Sequence, residues 1–142
     1  MAEQTWEKGQ QVLVFGSTGR LGYDQDYYVR VVEIESVAPK SFVAAGYRFF
    51  KDKLQVRSGS GYGHTQVSAM DDERAPYLLA CREAARRLTA VHAAERAWSR
   101  EHTTANAADL QVELHGWVVA VEKRDKARDE LRALRPTGEL LR

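Results

Sequence analysis

Tyrosines and carboxylates are concentrated in one short stretch of the chain, where their chemistry suits recognition of another protein. Tyr23, Tyr27 and Tyr28 lie there beside Asp24 and Asp26. A tyrosine combines a large apolar ring with a polar hydroxyl group, and such residues carry much of the binding energy at protein interfaces. In the alternative interpretation, one or two of these tyrosines pack in the core. The residues that we predict to form a protein-binding surface are Tyr23, Asp24, Tyr27, Tyr28, Tyr62 and His64.

Three glycines precede the tyrosines, at Gly16, Gly19 and Gly22, and they follow the apolar run 12–15. This pattern resembles the opening of short-chain-dehydrogenase-like reductases, in which a glycine loop and the next helix bind the pyrophosphate of a dinucleotide. Such a site needs a helix directly after the glycines, whereas residues 23–29 lead into a strand. We therefore interpret the glycines as a turn-rich loop between strands, and a nucleotide-binding, reductase-like protein is only the third function considered. No cofactor is predicted.

Other residues that could do chemistry have patterns that favour structural roles. Cys81 and Arg87 have the Cys-x5-Arg spacing of tyrosine-phosphatase-like enzymes, but the segment between them favours a helix, so we predict a buried structural cysteine. The carboxylates are dispersed among basic residues, as on a solvated helix face. We predict neither a catalytic site nor a metal site. The histidines, which show no metal-ligand spacing, are His64, His92, His102 and His115.

The charge of the chain does not favour nucleic-acid binding. The formal net charge is +1; residues 1–70 carry eight Lys and Arg against seven Asp and Glu, and residues 71–142 carry thirteen of each. A face that binds phosphates normally leaves a basic excess. A nucleic-acid-binding barrel is therefore the alternative function rather than the preferred one. Its expected phosphate contacts are Arg20, Arg30, Lys51, Lys53 and Arg57.

The single cysteine and the absence of long apolar runs indicate a cytoplasmic protein. One cysteine excludes an internal disulfide, which favours a reducing compartment. The residues 1–8 contain no apolar segment of signal-peptide length, and no run approaches the roughly 18 residues that a membrane span requires. We expect a soluble protein with no membrane partner.

The elements that must position these residues form two groups, which together predict an α+β fold. Residues 1–70 contain short β-branched and aromatic runs separated by turn residues, which predict a small SH3-like β-barrel. Residues 71–142 have apolar residues at helical spacing, which predict an antiparallel helical hairpin with helices at about 74–101 and 107–135. The strands of the barrel are expected at 12–15, 27–37, 41–45, 54–57 and 64–68.

Three local features of these elements are also predicted. The apolar positions of the second strand change parity at Val31 and Val32, which predicts a bulge there. The segment 48–53 is interpreted as a turn or a single helical turn. Asn106 is expected to cap the N-terminus of the second helix.

The helical hairpin has more apolar surface than one seam between two helices requires. Its apolar residues follow a heptad-like, coiled-coil spacing, and Val118 and Val119 add to it. We therefore predict that the hairpin associates with a second copy to form a homodimer. The residues expected at this oligomer interface are Trp98, Trp117 and Val118.

Several short motifs in the first ninety residues together carry a resemblance to other proteins. They are Lys8-Gly9-x-x-Val12-x-Val14, the strand end 37–43, the pair Arg48-Phe49 and the segment 70–74. This pattern resembles small uncharacterised proteins of actinobacterial phages that pair a compact β-barrel with a following helix. The resemblance implies a phage or prophage accessory protein in the host cytoplasm. The preferred function is therefore a non-enzymatic module that binds a host protein.

Overall fold

The computed structural model describes residues 4–17, 27–54, 65–138 and 140–141. The chain forms two compact units, Met1–Leu78 and Leu79–Arg142. The first contains a curled, five-stranded antiparallel sheet, and two long helices follow it. The predicted fold class, α+β with a barrel-like sheet followed by a helical hairpin, is confirmed. The boundary between the units lies inside the first helix, so the first unit includes the beginning of that helix.

The five strands are β1 (Gln11–Ser17), β2 (Tyr27–Val37), β3 (Ser41–Ala44), β4 (Tyr47–Phe50) and β5 (Gln66–Ala69). Their order in the sheet is β4-β3-β2-β1-β5, and all neighbours are antiparallel. The last strand therefore returns to pair with the first, as expected for an SH3-like barrel. The antiparallel pairing of β1 with β2 is incompatible with the parallel β-α-β unit that a dinucleotide-binding fold requires.

The long strand β2 belongs to both halves of the sheet, because it pairs with β1 along its first part and with β3 near its end. The register shifts between Ile34 and Ser36, so the bulge predicted at Val31 and Val32 was placed wrongly. Val31 pairs with the fully buried Leu13, on the outer side of β1. The change of apolar parity therefore reflects burial on both faces of the sheet rather than an extra residue.

Strand β1 is buried on both of its faces. Val12 and Val14 belong to the core inside the curled sheet, whereas Leu13 and Phe15, of opposite parity, are also completely buried. The guanidinium group of Arg74 lies 5.6 Å from the centre of the Phe15 ring, and it is paired with Asp72 at 2.9 Å. The residues just before the first helix thus cover part of the outer side of β1.

The centre of the sheet's core is aromatic. The ring of Trp6 stacks on Phe42 at 4.7 Å between centroids, and Phe42 packs against Phe49 at 5.7 Å. Phe49 lies on β4, so the prediction of a turn or helical turn at 48–53 is wrong for residues 48–50. The turn begins only at Lys51.

The predicted fourth strand, at 54–57, does not begin at Leu54. Leu54 has a left-handed backbone with φ of 52° and is not in a strand. Its carbonyl oxygen accepts a hydrogen bond of 3.2 Å from the amide of Val67, which helps to close the curled sheet. The other residues of that predicted strand, 55–57, lie outside the described residues.

The two helices are α1 (Ala75–Arg100) and α2 (Thr104–Leu134), close to the predicted ranges. They form an antiparallel pair, since only residues 101–103 separate them and the middle of α2 lies near α1, where a Cβ atom added at Gly116 would be 3.4 Å from Nη1 of Arg87. None of the helices in the described part of the chain is long and apolar enough to span a membrane.

The turn between the helices uses Asn106 differently from the prediction. Thr103 is the N-cap of α2, and its hydroxyl oxygen accepts a hydrogen bond of 3.1 Å from the Asn106 amide. The side-chain amide of Asn106 donates to the carbonyl oxygens of Glu101 at 2.8 Å and Ala97 at 3.3 Å. Asn106 therefore satisfies carbonyl groups at the end of α1, and the prediction that it caps α2 is wrong.

Candidate protein-binding site

Tyr28 spans strand β1 at one end of the sheet. Tyr28 pairs with Gly16 across β1 and β2, and its hydroxyl group shares a hydrogen bond of 2.9 Å with the hydroxyl group of Thr65. Thr65 directly precedes β5, which is the neighbour of β1 on its other side. Since neighbouring strands lie about 4.8 Å apart, the tyrosine side chain connects two strands across the one between them. We call this arrangement of Tyr28, Gly16 and Thr65 the tyrosine bridge.

The ring of Tyr28 lies directly over Gly16. A Cβ atom added at Gly16 would lie 2.6 Å from the Tyr28 hydroxyl oxygen and 2.8 Å from two ring carbons. The ring therefore occupies the space that any other residue at position 16 would fill. Aromatic rings that cover a cross-strand glycine are known to support sheets. The prediction that Gly16 belongs to a loop was wrong in this respect, because Gly16 lies within β1.

Tyr28 remains accessible although it is held at both ends. Tyr28 is 39% exposed, while Thr65 is buried. A ring that is fixed in one position and still reaches solvent loses little conformational freedom when a partner binds it. Of the tyrosines in the predicted surface, Tyr28 is the one whose side chain the structure describes.

The remaining residues of the predicted surface are connected to this end of the sheet. Strand β1 ends at Ser17, β2 begins at Tyr27 and β5 follows Thr65, so the chain leaves and re-enters the sheet at the end that carries the tyrosine bridge. Tyr23, Asp24, Tyr62 and His64 lie outside the described residues. The predicted grouping of these residues with Tyr28 stays a prediction.

The basic residues of the alternative interface lie on different elements. Arg30 is exposed on β2, two positions from Tyr28 and on the same side of the strand. Lys51 and Lys53 lie in the turn after β4, the first half-buried and the second exposed. Arg20 and Arg57 lie outside the described residues. Among the three that are described, only Arg30 is near the tyrosine bridge along its strand.

The hairpin residues that could do chemistry are held in ordinary helix contacts. Cys81 is buried within α1, so the predicted burial is confirmed. Arg86 and Arg87 donate hydrogen bonds of 2.8 and 2.9 Å to Glu83, and these contacts, with Arg86 contributing most, lower the pKa of Glu83 to about 2. Across the described residues, no group of three or more His, Cys, Asp or Glu side chains could hold a metal ion.

The residues of the predicted oligomer interface occupy different positions on the two helices. Trp98 is half-buried near the end of α1, and its ring stacks on His102 at 4.5 Å. Trp117 is half-buried on α2, and Val118 beside it is exposed.

Sequence reasoning found Tyr28 but missed both of its contacts. Thr65 was not singled out, and Gly16 was considered for a loop or a phosphate site. The spacing of residues in the sequence does not reveal these contacts, because they depend on which residues pair across β1, β2 and β5.

No protein family, no curated protein and no solved structure matches this chain.

Proposed function

We propose that this protein is a non-enzymatic accessory module that binds another protein through the end of the sheet that carries the tyrosine bridge. The observation that carries the proposal is the state of Tyr28: the residue is 39% exposed, yet its ring lies over Gly16 and its hydroxyl group is hydrogen-bonded to Thr65. Rigid aromatic side chains with a polar tip are the commonest anchors of protein interfaces.

The charge next to the anchor suggests what the partner presents. Arg30 projects from the same side of β2 as Tyr28 and is exposed. An apolar ring beside a guanidinium group suits a partner surface that places a carboxylate next to an apolar side chain. The resemblance to phage proteins leads us to propose a host protein as this partner, bound in the host cytoplasm.

The test is affinity capture from an actinobacterial lysate followed by titration with the purified partner. The full chain serves as bait beside its Tyr28→Ala variant, and Tyr47→Ala is the matched control. Tyr47 is exposed to a similar degree, at 41%, but it lies on β4, at the far edge of the sheet from β5. We expect Tyr28→Ala to weaken binding at least tenfold, since truncation of an anchor costs about 2 kcal/mol or more.

Two results would overturn the proposal. If the Tyr28→Ala variant retains the same partner with unchanged affinity, the tyrosine bridge is not the binding site. If Tyr47→Ala weakens binding as much as Tyr28→Ala, the effect is not specific to this end of the sheet. A separate titration with DNA and RNA at low salt tests the alternative function, which requires binding that falls steeply as salt is added.

A further inference from the structure

Helix α2 carries apolar side chains on two of its faces. One face contacts α1, where Gly116 adjoins Arg87 and where Ala120 is buried. A second stripe, which we call the α2 stripe, is turned by about 100° from Ala120 around the helix. It consists of residues at the spacing i, i+3, i+4 and i+7, namely Leu114, Trp117, Val118 and Val121.

The α2 stripe is accessible in the single chain. Leu114 is 40% and Val118 is 46% exposed, and Trp117 and Val121 are half-buried. One apolar stripe suffices for a helix that packs on one neighbour, so a second stripe indicates a second neighbour. The spacing and charge of α2 themselves indicate what that neighbour is.

We propose that the α2 stripe pairs with the same stripe of a second copy of this chain, with the two α2 helices antiparallel. The stripe is self-complementary in this arrangement. A two-fold axis between positions 117 and 118 places Leu114 opposite Val121 of the second copy and Trp117 opposite its Val118. Each large side chain thus meets a smaller β-branched one, and both copies contribute the same surface, as in most symmetric dimers.

One pair of polar groups beside the stripe suits the antiparallel direction. His115 and Glu122 are exposed on the flank of the stripe that faces away from α1. With the two-fold axis between positions 117 and 118, Glu122 of the second copy lies about two residues, or about 3 Å, along the helix from His115, so an antiparallel pair brings these two groups together.

The charge along the whole helix points in the same direction. Residues 104–117 of α2 contain two carboxylates and no Lys or Arg, whereas residues 118–134 contain five Lys and Arg and four carboxylates. Antiparallel pairing brings the acidic half of one helix to the basic half of the other, and it also opposes the two helix dipoles.

The size of the stripe sets the expected strength of the dimer. The helix has 31 residues and is therefore about 46 Å long, but the stripe occupies only its middle turns. Such an interface lies at the low end of the area that stable dimers bury. We expect a reversible dimer with a dissociation constant on the order of 10 µM.

The test is sedimentation equilibrium of the full chain between about 1 and 500 µM, a range that brackets this constant. Leu114→Glu and Val118→Glu should each raise the dissociation constant at least tenfold. Val112→Glu is the matched control, because Val112 is 68% exposed and lies on nearly the opposite side of the same helix. It should leave the constant within about twofold.

A second pair of variants tests the direction of the helices. His115→Glu should weaken the dimer by placing two carboxylates opposite each other, and adding Glu122→Lys should restore it. A chain that stays monomeric at 500 µM would overturn the proposal, as would an equal effect of Val112→Glu and Val118→Glu. Failure of Glu122→Lys to restore the dimer would overturn the antiparallel arrangement. Circular dichroism shows that each variant keeps its helices, which is expected since all five side chains are exposed.

Discussion

Replacing Gly16 by alanine should disrupt the tyrosine bridge while the Tyr28 side chain itself stays chemically unchanged. A methyl group at position 16 would lie 2.6 Å from the Tyr28 hydroxyl oxygen. This distance is well below the van der Waals contact distance, so the ring must move away from position 16. The hydrogen bond to Thr65 then breaks, because it depends on the ring lying across β1. The stability of the protein and the proposed binding site should therefore change together.

The size of the effect follows from the contacts that are lost. Loss of the partly buried hydrogen bond costs about 1 kcal/mol. If the ring uncovers about 50 Å² of apolar surface, that exposure costs about 1 kcal/mol more. Alanine offsets about 0.5–1 kcal/mol of this, because glycine within a strand is unfavourable. The net result is a protein that is less stable by about 1 kcal/mol.

Urea denaturation of four proteins measures this effect: the parent chain, Gly16→Ala, Tyr28→Ala and the double variant. The midpoint for Gly16→Ala should fall by about 0.5 M, given slopes of about 1–3 kcal/mol/M. In the Tyr28→Ala background the ring is gone, so the same Gly16→Ala change should be neutral or stabilising. If Gly16→Ala destabilises both backgrounds equally, or stabilises the parent chain, the ring does not rest on Gly16 and the reasoning is wrong.

Three further predictions concern other parts of the chain. Gly116→Ala should raise the free energy of unfolding by about 0.5–1 kcal/mol, because alanine favours a helix more than glycine does. There is room for the added methyl group, which would lie 3.4 Å from the flexible side chain of Arg87. A lower thermal midpoint would show that α1 and α2 are packed more tightly than this distance indicates. Ala45→Asn should raise the free energy of unfolding by about 0.5–1 kcal/mol, because asparagine tolerates positive φ better than alanine does. Ala45 and Gly46 form the two-residue turn between β3 and β4, with φ of 53° and 78°. A variant that is less stable in urea denaturation would argue against strain at Ala45. The pKa of Glu83 is lowered from 4.5 to about 2, so its stabilising contribution is present above pH 4.5 and is lost as the pH falls toward 2; the exposed pair contributes a few tenths of a kcal/mol. Glu83→Gln should remove that pH-dependent part from the parent's acid titration of stability, and identical curves would contradict the assignment.

The parts of the fold that the sequence predicts are those with long, regular patterns. Strand β2 and both helices extend over many residues of consistent spacing, and the structure confirms them. Strand β4 was missed because Arg48, Phe49 and Phe50 are too few to show an alternation, and because the turn before it uses Ala45, a residue that rarely has positive φ. Asn106 could not be assigned from its type alone, since the carbonyl groups that it binds belong to the preceding helix.

In the candidate site, too, some features can be predicted from the sequence and others depend on the folded structure. The composition of the segment singles out Tyr28 as a candidate but leaves open whether it is exposed or packed in the core, whereas its contacts with Gly16 and Thr65 follow from the pairing of three strands. The residues of this bridge are separated by 12 and 37 positions in the chain. A pattern search within short windows cannot connect them, because the register between strands is set by the packing of the whole sheet.

The burial of β1 on both faces gives a way to detect binding before any partner is known. Its amides lie between β2 and β5, and its side chains are covered on both sides, so local fraying cannot expose them and their hydrogen exchange should require unfolding of the whole first unit. A partner that binds the folded state slows that exchange in proportion to its occupancy. The amides of Val12 to Phe15 thus serve as an internal reporter: addition of a partner that binds the folded first unit should slow their deuterium uptake, wherever on that unit it binds.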